Sequence, residues 1–266
     1  NKVLRFNAKL LKTERYLAIE RRLRVVLEND EIKPYFQPQF DMEHNLRGFE
    51  ALARLQDEDG NFISPVEFIP VAENAGLIDQ IDNSILRKSA KFLAEINKKG
   101  FRNIKISSNI SVLHLMKNDF IDDIKSVFSE IAVNPADFKI EITESVMIDS
   151  DDKALERIEA IKSFGMQVAI DDFGTGYSSL SYLHRFPADM LKIDKSFIDV
   201  MNENEASKQY VAMIIAIGHV LNLSVISEGV ETKDQLDTLK EIGCDYIQGY
   251  IWGKPLPLDE AIKLFI

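Results

Sequence analysis

Along the chain, the period of hydrophobic and polar positions changes several times. From Asn1 to about Glu31, Leu10, Leu11, Leu17, Leu23 and Leu27 return at spacings close to helical turns, among Lys2, Arg5, Lys9, Lys12, Arg15, Arg21, Arg22 and Arg24. That spacing predicts an amphipathic helix with a charged outer face. Beyond it, short runs rich in Ile, Val and Phe read as strands: Pro34 to Phe40, Gly48 to Leu55, Ile104 to Ile110, Phe138 to Thr143, Val168 to Phe173, Met190 to Ile193, Ser224 to Ser227 and Tyr246 to Gln248. Helical patterns occupy Val66 to Asn74, Asp79 to Lys98, Asp119 to Ile131, Asp152 to Phe164, Ser178 to His184, Glu203 to Leu221, Lys233 to Ile242 and Leu258 to Phe265. Eight strands that mostly alternate with helices predict parallel βαβ packing, and eight strands close a barrel, so the expected fold class is α/β, a TIM-like (β/α)8 barrel. One joint departs from it. Only Asp41 to Arg47 separates the first two strands, and a parallel crossover needs about a dozen residues or more, so the first strand is expected to run antiparallel.

No Ser- or Pro-rich linker and no solenoid repeat interrupts residues 32–266. The reading is therefore one barrel domain over 31–266, with 1–30 as a connector helix. The chain starts at Asn1 rather than Met and has no secretory segment, so a piece of a longer protein is expected. The longest apolar candidate, Val211 to Gly218, falls far short of the roughly 18 residues that a membrane span needs. The formal net charge of −11 argues against broad adhesion to a nucleic-acid polymer or to anionic lipid. An anionic ligand would need local cations or metal. The single cysteine, Cys244, allows no intrachain disulfide and reads as a small buried side chain in a reducing compartment, in keeping with a cytoplasmic location.

The candidate chemistry lies at the strand ends. Glu50, Asn109, Glu141, Asp171, Asp172, Lys192, Glu228 and Gln248 each sit within or close an apolar run that does not explain them. The carboxyl ends of parallel barrel strands converge on one face, so these residues are expected to meet at one mouth. Unpaired carboxylates buried together are costly and repel one another, so a cation is implied. Oxygen donors without cysteine or paired histidine suit a hard ion such as Mg²⁺ or Mn²⁺, and five carboxylates suit two ions, the arrangement used to hydrolyse phosphate esters. His44, His114, His184 and His219 fall off these strand ends and are not expected to be ligands. Lys192 either snorkels to the surface or, beside the acids, orients a nucleophilic water and offsets charge developing on phosphoryl oxygens. The run from Asp171 to Leu180 lacks the Gly-Lys-Ser/Thr of a P-loop, and its Gly174 and Gly176 suit a movable loop carrying metal ligands.

Glu50-Ala51-Leu52 followed by Arg54 resembles the name-giving motif of the EAL family of cyclic di-GMP phosphodiesterases. The likeness extends over Gln37-Pro38, Ser64-Pro65 with Glu67-Phe68-Ile69-Pro70, Asn109 with Ser111, Glu141-Ile142-Thr143-Glu144, Asp171 to Leu180, Leu191-Lys192-Ile193-Asp194, Glu228-Gly229-Val230-Glu231-Thr232 and Gln248-Gly249-Tyr250 with Lys254-Pro255-Leu256. The resemblance implies a barrel with an antiparallel first strand, two Mg²⁺ or Mn²⁺ ions, inhibition by Ca²⁺, and hydrolysis of cyclic di-GMP to linear pGpG. It implies metal contacts, direct or through water, for Glu50, Asn109, Glu141, Asp171, Asp172 and Glu228, with Lys192, Glu228 and Glu50 in catalysis. It further implies that Gln37, Arg54, Gln248 and Glu231 contact the substrate side and that Glu144 steadies the loop from Asp172 to Leu180. A homodimer, and a GGDEF or sensor domain upstream of the basic helix, are implied in the same way, and any membrane attachment of the full-length protein is expected to come from segments outside these residues.

The chain also departs from the family text. Ile110-Ser111-Val112-Leu113-His114 replaces the common Leu-Ser-Ala-Arg-Gln after the asparagine, and Ser227 stands where Ala is common. None of the implied metal ligands is lost. The alternative function is a weak or inactive cyclic di-GMP receptor, but receptors of this resemblance usually lack some ligands or have a broken loop. An aldolase-like barrel would use Lys192 as a Schiff base, which neighbouring carboxylates oppose by holding the ammonium protonated.

Overall fold

The computed structural model describes residues 2–147, 152–175 and 183–265. After the long helix α1 (Lys2–Glu28) come β1 (Lys33–Asp41), β2 (Leu46–Gln56), the short β3 (Phe62–Ile63), α2 (Pro65–Asn74), α3 (Ile78–Lys98), β4 (Lys105–Asn109), α4 (Val112–Leu115), α5 (Phe120–Glu130), β5 (Phe138–Thr143), α6 (Asp152–Ser163) and β6 (Gln167–Phe173). Then follow β7 (Met190–Ile193), α7 (Lys195–Val200), α8 (Glu205–Val220), β8 (Ser224–Ser227), α9 (Lys233–Glu241), β9 (Tyr246–Gln248), β10 (Leu256–Pro257) and α10 (Leu258–Ala261). The helix expected over Ser178 to His184 and the rest of that loop lie outside the described residues, save for Leu183 and His184.

Eight strands close a barrel in the order β1-β2-β4-β5-β6-β7-β8-β9, with β9 returning to β1. From β2 round to β9 every pairing within the barrel is parallel, and β1 is antiparallel to both of its neighbours, as the short connection required. Strand β3 adds to the end of β2, and β10 pairs with β1 at Tyr35 and Phe36, along the edge that β9 occupies further on.

The helix layer forms where apolar residues recur at helical spacing. On α3, Ile78, Ile81, Ile85, Leu86, Phe92, Leu93 and Ile96 are buried, while the intervening lysines and arginine stay outside. Phe92 anchors this helix to the sheet, its ring centroid 4.0 Å from Phe36 of β1 and 5.5 Å from Phe49 of β2. Burying one such ring stabilises the fold by about 1.5–3 kcal/mol. The contact face of α1 differs from the expected leucine stripe: Leu11 and Leu17 are exposed, and Ile19, Leu23 and Val26 make the buried row. Packing rather than leucine count selects that face, and Arg15 of α1 is paired to Glu67 of α2 at 3.1 Å.

Candidate active site

Lys192 stands at the centre of the barrel mouth. It lies between Leu191 and Ile193 on β7, and the strand pleat turns those neighbours toward the helices while the lysine points inward. Its fully buried ammonium meets Glu228 Oε1 at 2.7 Å, Asp171 Oδ1 at 3.1 Å and Glu50 Oε2 at 3.4 Å, and donates a hydrogen bond to Glu141 Oε2. Burial alone would strip the proton from a lysine, but Asp171, Glu141, Glu228 and Glu50 outweigh it and hold the pKa well above the ordinary lysine value. Such an ammonium is a poor nucleophile, which argues against a Schiff-base role.

Four carboxylates sharing one ammonium leave the cage with a formal excess of three negative charges. Glu50 carries its charge with the most help: Asn109 Nδ2 donates to Oε1 at 2.6 Å and Gln248 Nε2 to Oε2 at 2.6 Å. Although burial opposes it, the Lys192 charge and these amides hold the Glu50 carboxyl below its usual range. Glu141 is less well served; burial, then the charge of Glu50, pushes its carboxyl up to about 7. Burial likewise raises Asp171 and Glu228. Among the described residues, Glu141 Oε1 is buried without any hydrogen-bond partner, and ligand atoms of Glu50, Glu141 and Asp171 all lie within 4.8 Å of one another. An all-oxygen set, surplus negative charge and an orphaned carboxylate oxygen fit a hard divalent cation.

Register explains how these side chains meet. Gln37 of β1 lies opposite Glu50 and Gln39 opposite Gln248, so the antiparallel strand brings two amides to the cage. Gln248 Nε2 also donates to Gln37 Oε1 at 3.3 Å, and Gln39 Nε2 donates to Gln248 Oε1 at 2.8 Å. Asn109 is level with Glu141 across β4 and β5. Consecutive residues of a regular strand face opposite sides, yet Asp171 and Asp172 both line the mouth. A bulge between Ile170 and Phe173, with Asp172 at φ 53°, makes that possible. Burial and the Asp171 charge push the half-buried Asp172 carboxyl up to about 6.

The mouth opens into a cavity of about 560 Å³ between the acidic cage and apolar residues of α2 and α3, including Phe68, Ile69, Ile78 and Ile81. Arg54 stands on its rim, 5.7 Å above the Tyr35 ring, and Nη1 donates to the Ala53 carbonyl at 3.1 Å. Glu144 begins the 3₁₀ turn after β5, and its Oε2 accepts the Gly174 N–H at 2.8 Å. Gly174 has φ 98° and faces Phe197, so a side chain there would meet both backbone strain and a ring. Thr175 Oγ1 closes the same turn on the Asp172 carbonyl at 2.8 Å. Glu231 is not part of the cage; it is half-exposed and accepts from Lys195 Nζ at 2.8 Å.

Two features escape the sequence reading. Gln39 belongs to the amide network, and its alternation with Gln37 on β1 is the signal for it. Asp82 lines the cavity from α3, accepting from the Ser111 N–H at 3.0 Å and paired with buried His114 Nδ1 at 3.1 Å. A carboxylate among Ile78, Ile81 and Ile85 on one helix face is its signal. Cys244 is buried as expected, and burial pushes its thiol up to about 11.

The family model of the EAL domain matches residues 20–255. The chain belongs to the EAL domain family. This EAL domain is 40% identical to signaling protein YkoW of Bacillus subtilis (strain 168) over 245 residues, 92% of this chain and 30% of the relative. It is 32% identical to cyclic di-GMP phosphodiesterase NbdA of Pseudomonas aeruginosa over 258 residues, 97% of this chain and 33% of the relative. The chain thus spans about a third of the length of these curated relatives. Among solved structures, the PaMucR phosphodiesterase in complex with c-di-GMP superposes with a TM-score of 0.87 at 33% identity, covering 91% of this chain and 99% of that one. Among the described residues, no helix of this EAL domain is long and apolar enough to cross a membrane.

Proposed function

We propose that this EAL domain hydrolyses one phosphodiester of cyclic di-GMP to linear pGpG with the help of two Mg²⁺ or Mn²⁺ ions. The observation that carries the reading is the buried Lys192 inside a four-carboxylate cage, with an orphaned Glu141 oxygen, at the floor of a cavity rimmed by Arg54. A relative named as a cyclic di-GMP phosphodiesterase and a structural neighbour solved with c-di-GMP support it. Glu50, Asn109, Glu141, Asp171, Asp172 and Glu228 would hold the ions. When bound, such ions polarise phosphoryl oxygens and acidify water.

The chain's own residues supply the rest. Gln248 and Asn109 lock Glu50 in its ionised form and in one orientation. Lys192 is placed to orient the attacking water and to offset negative charge gathering on the phosphoryl oxygens. Arg54 meets a phosphate, while Gln37, Gln248 and, from outside the cage, Glu231 serve the nucleotide side. Glu144 acts at one remove, by holding the Gly174 turn next to Asp172. Ca²⁺, which prefers longer bonds and higher coordination, is expected to inhibit. A homodimer, an upstream GGDEF or sensor domain in the whole protein, and a cytoplasmic location belong to the same proposal.

The test is incubation of the purified chain with cyclic di-GMP and Mg²⁺ or Mn²⁺, with and without EDTA, followed by chromatography of the nucleotides. Appearance of pGpG that stops on chelation is the expected result. Cyclic di-GMP bound but returned intact in every metal would establish a receptor instead.

A further inference from the structure

The opposite end of the barrel holds a second concave site of contrary charge. The interior of such barrels is ordinarily packed with branched apolar side chains. Here a cavity of about 290 Å³ opens at the amino ends of the strands, lined by Gln39, Arg47, Lys105, Lys139, Gln167 and Asp189 among others. The one acid lining it, Asp189, is ion-paired to Lys162 and accepts the Val168 N–H, and the lining Arg47 is paired with Asp41 at 2.7 Å. Lys105 Nζ donates to the neutral Gln167 Oε1 at 2.6 Å. Lys139 is only 3% exposed, and among the described residues its ammonium's one hydrogen bond is to the thioether of Met190, at 3.0 Å.

No carboxylate among the described residues forms an ion pair with Lys105 or Lys139. A buried ammonium whose hydrogen bond goes to a weak thioether is under-satisfied, and the charge of Glu141, two residues along β5, acts on it without an ion-pair contact because that carboxylate is turned to Lys192. Neighbouring strands place Lys139 beside Gln167, level with it across β5 and β6, so neutral amide and cationic donors face one small space. In a chain of net charge −11, this inward-facing concentration of cations calls for its own explanation.

We infer that the amino-end cavity is a binding site for a small oxyanion of phosphate type, held between Lys105 and Lys139 and separate from the mouth where the acidic cage lies. The site's size supports that class, because the volume falls just below the roughly 300 Å³ at which pockets for larger ligands begin. A cyclic dinucleotide does not fit in it. The proposal does not depend on the activity assigned to the acidic mouth.

The experiment is calorimetric titration of the purified chain with inorganic phosphate in low salt without added metal, compared with Lys139→Met, Lys105→Met and the mouth variant Arg54→Ala. Saturable binding of one phosphate is expected, weakened roughly tenfold or more by either lysine substitution, the scale of a lost charge-assisted hydrogen bond. Arg54→Ala is expected to bind as the unaltered chain does. Absence of saturable binding up to ~10 mM phosphate overturns the site, that being about the weakest affinity such contacts would give. Binding that Arg54→Ala removes and the lysine variants keep overturns it too, since phosphate would then sit at the mouth. Should Lys139→Met fail to fold, Lys105→Met, whose side chain is half-exposed, carries the same comparison.

Discussion

At the scale of single residues, Lys192 and Glu144 separate chemistry from positioning. Lys192→Ala removes the ammonium that four carboxylates surround, and those acids can still bind cations. The expected outcome is a fall in kcat of roughly 10²-fold or more with substrate still bound, the scale of a lost positioned electrostatic contact. Steady-state kinetics together with substrate titration check it; equal losses of affinity and rate would make the lysine a binding residue. Glu50→Ala and Asp171→Ala are expected to abolish turnover by disabling the metal site itself. Glu144→Ala deletes the acceptor of the Gly174 N–H and touches none of the cage. Activity should drop while the fold persists, and activity against Mg²⁺ concentration, alongside sizing chromatography, reads the result. An unchanged profile at every metal concentration would show that the Gly174 turn needs no such anchor.

At the scale of elements, the β1–β2 hairpin carries the antiparallel strand and so Gln37 and Gln39, whose side chains hold Gln248 against Glu50. Asp41 caps its turn, accepting from the N–H groups of Glu43 and Asn45 at 3.0 and 2.8 Å, from Asn45 Nδ2 at 2.9 Å and from Arg47 Nε at 2.8 Å. Burial works against the charge, but these donors prevail and lower the carboxyl to about 2. Its pKa is depressed relative to an unfolded value of about 3.9, so its contribution is present above that pH and is lost as pH falls toward 2. Allowing for solvent screening, Asp41→Ala should cost about 1 kcal/mol at neutral pH and lessen the acid sensitivity of unfolding, as denaturant titrations at pH 7 and pH 3 would show. Gly249 makes a different demand. A Cβ there would overlap the Val230 backbone, so Gly249→Ala must part the loops that follow β8 and β9 and shift Gln248 relative to Glu50. Loss of activity larger than loss of thermal stability is the expected signature.

For the molecule as a whole, the acidic cage links metal binding to stability. A ligand bound only by the folded state at 100 times its Kd stabilises by about 2.7 kcal/mol, which for a chain of this size raises Tm by several degrees. Mg²⁺ or Mn²⁺ should therefore raise the melting temperature, EDTA should reverse the shift, and Glu50→Ala should remove it. Calorimetry of the unaltered chain and of that variant is the check. A shift of equal size in both would place the stabilising ion elsewhere.

Strand period, helix period and connection length are local properties, which is why the barrel, its antiparallel first strand and the strand-end acids were legible in the sequence alone. Buried-type runs interrupted by Glu50, Glu141, Asp171, Lys192 and Glu228 announced a charged interior, since such groups rarely enter apolar text without partners. Pairing was another matter. The bulge that turns Asp172 toward the mouth depends on how β6 meets β7, and the buried row of α1 depends on what that helix packs against. Asp82 and His114 are 32 residues apart and meet only because α3 and α4 share one corner. The cationic cavity at the amino ends required closure of the barrel, because Lys105 and Lys139 look like ordinary surface lysines until the pleat turns both inward. Periodicity along one strand settles which residues share a face, while the partner and the end of the barrel that each face meets are decided by contacts between segments distant in sequence.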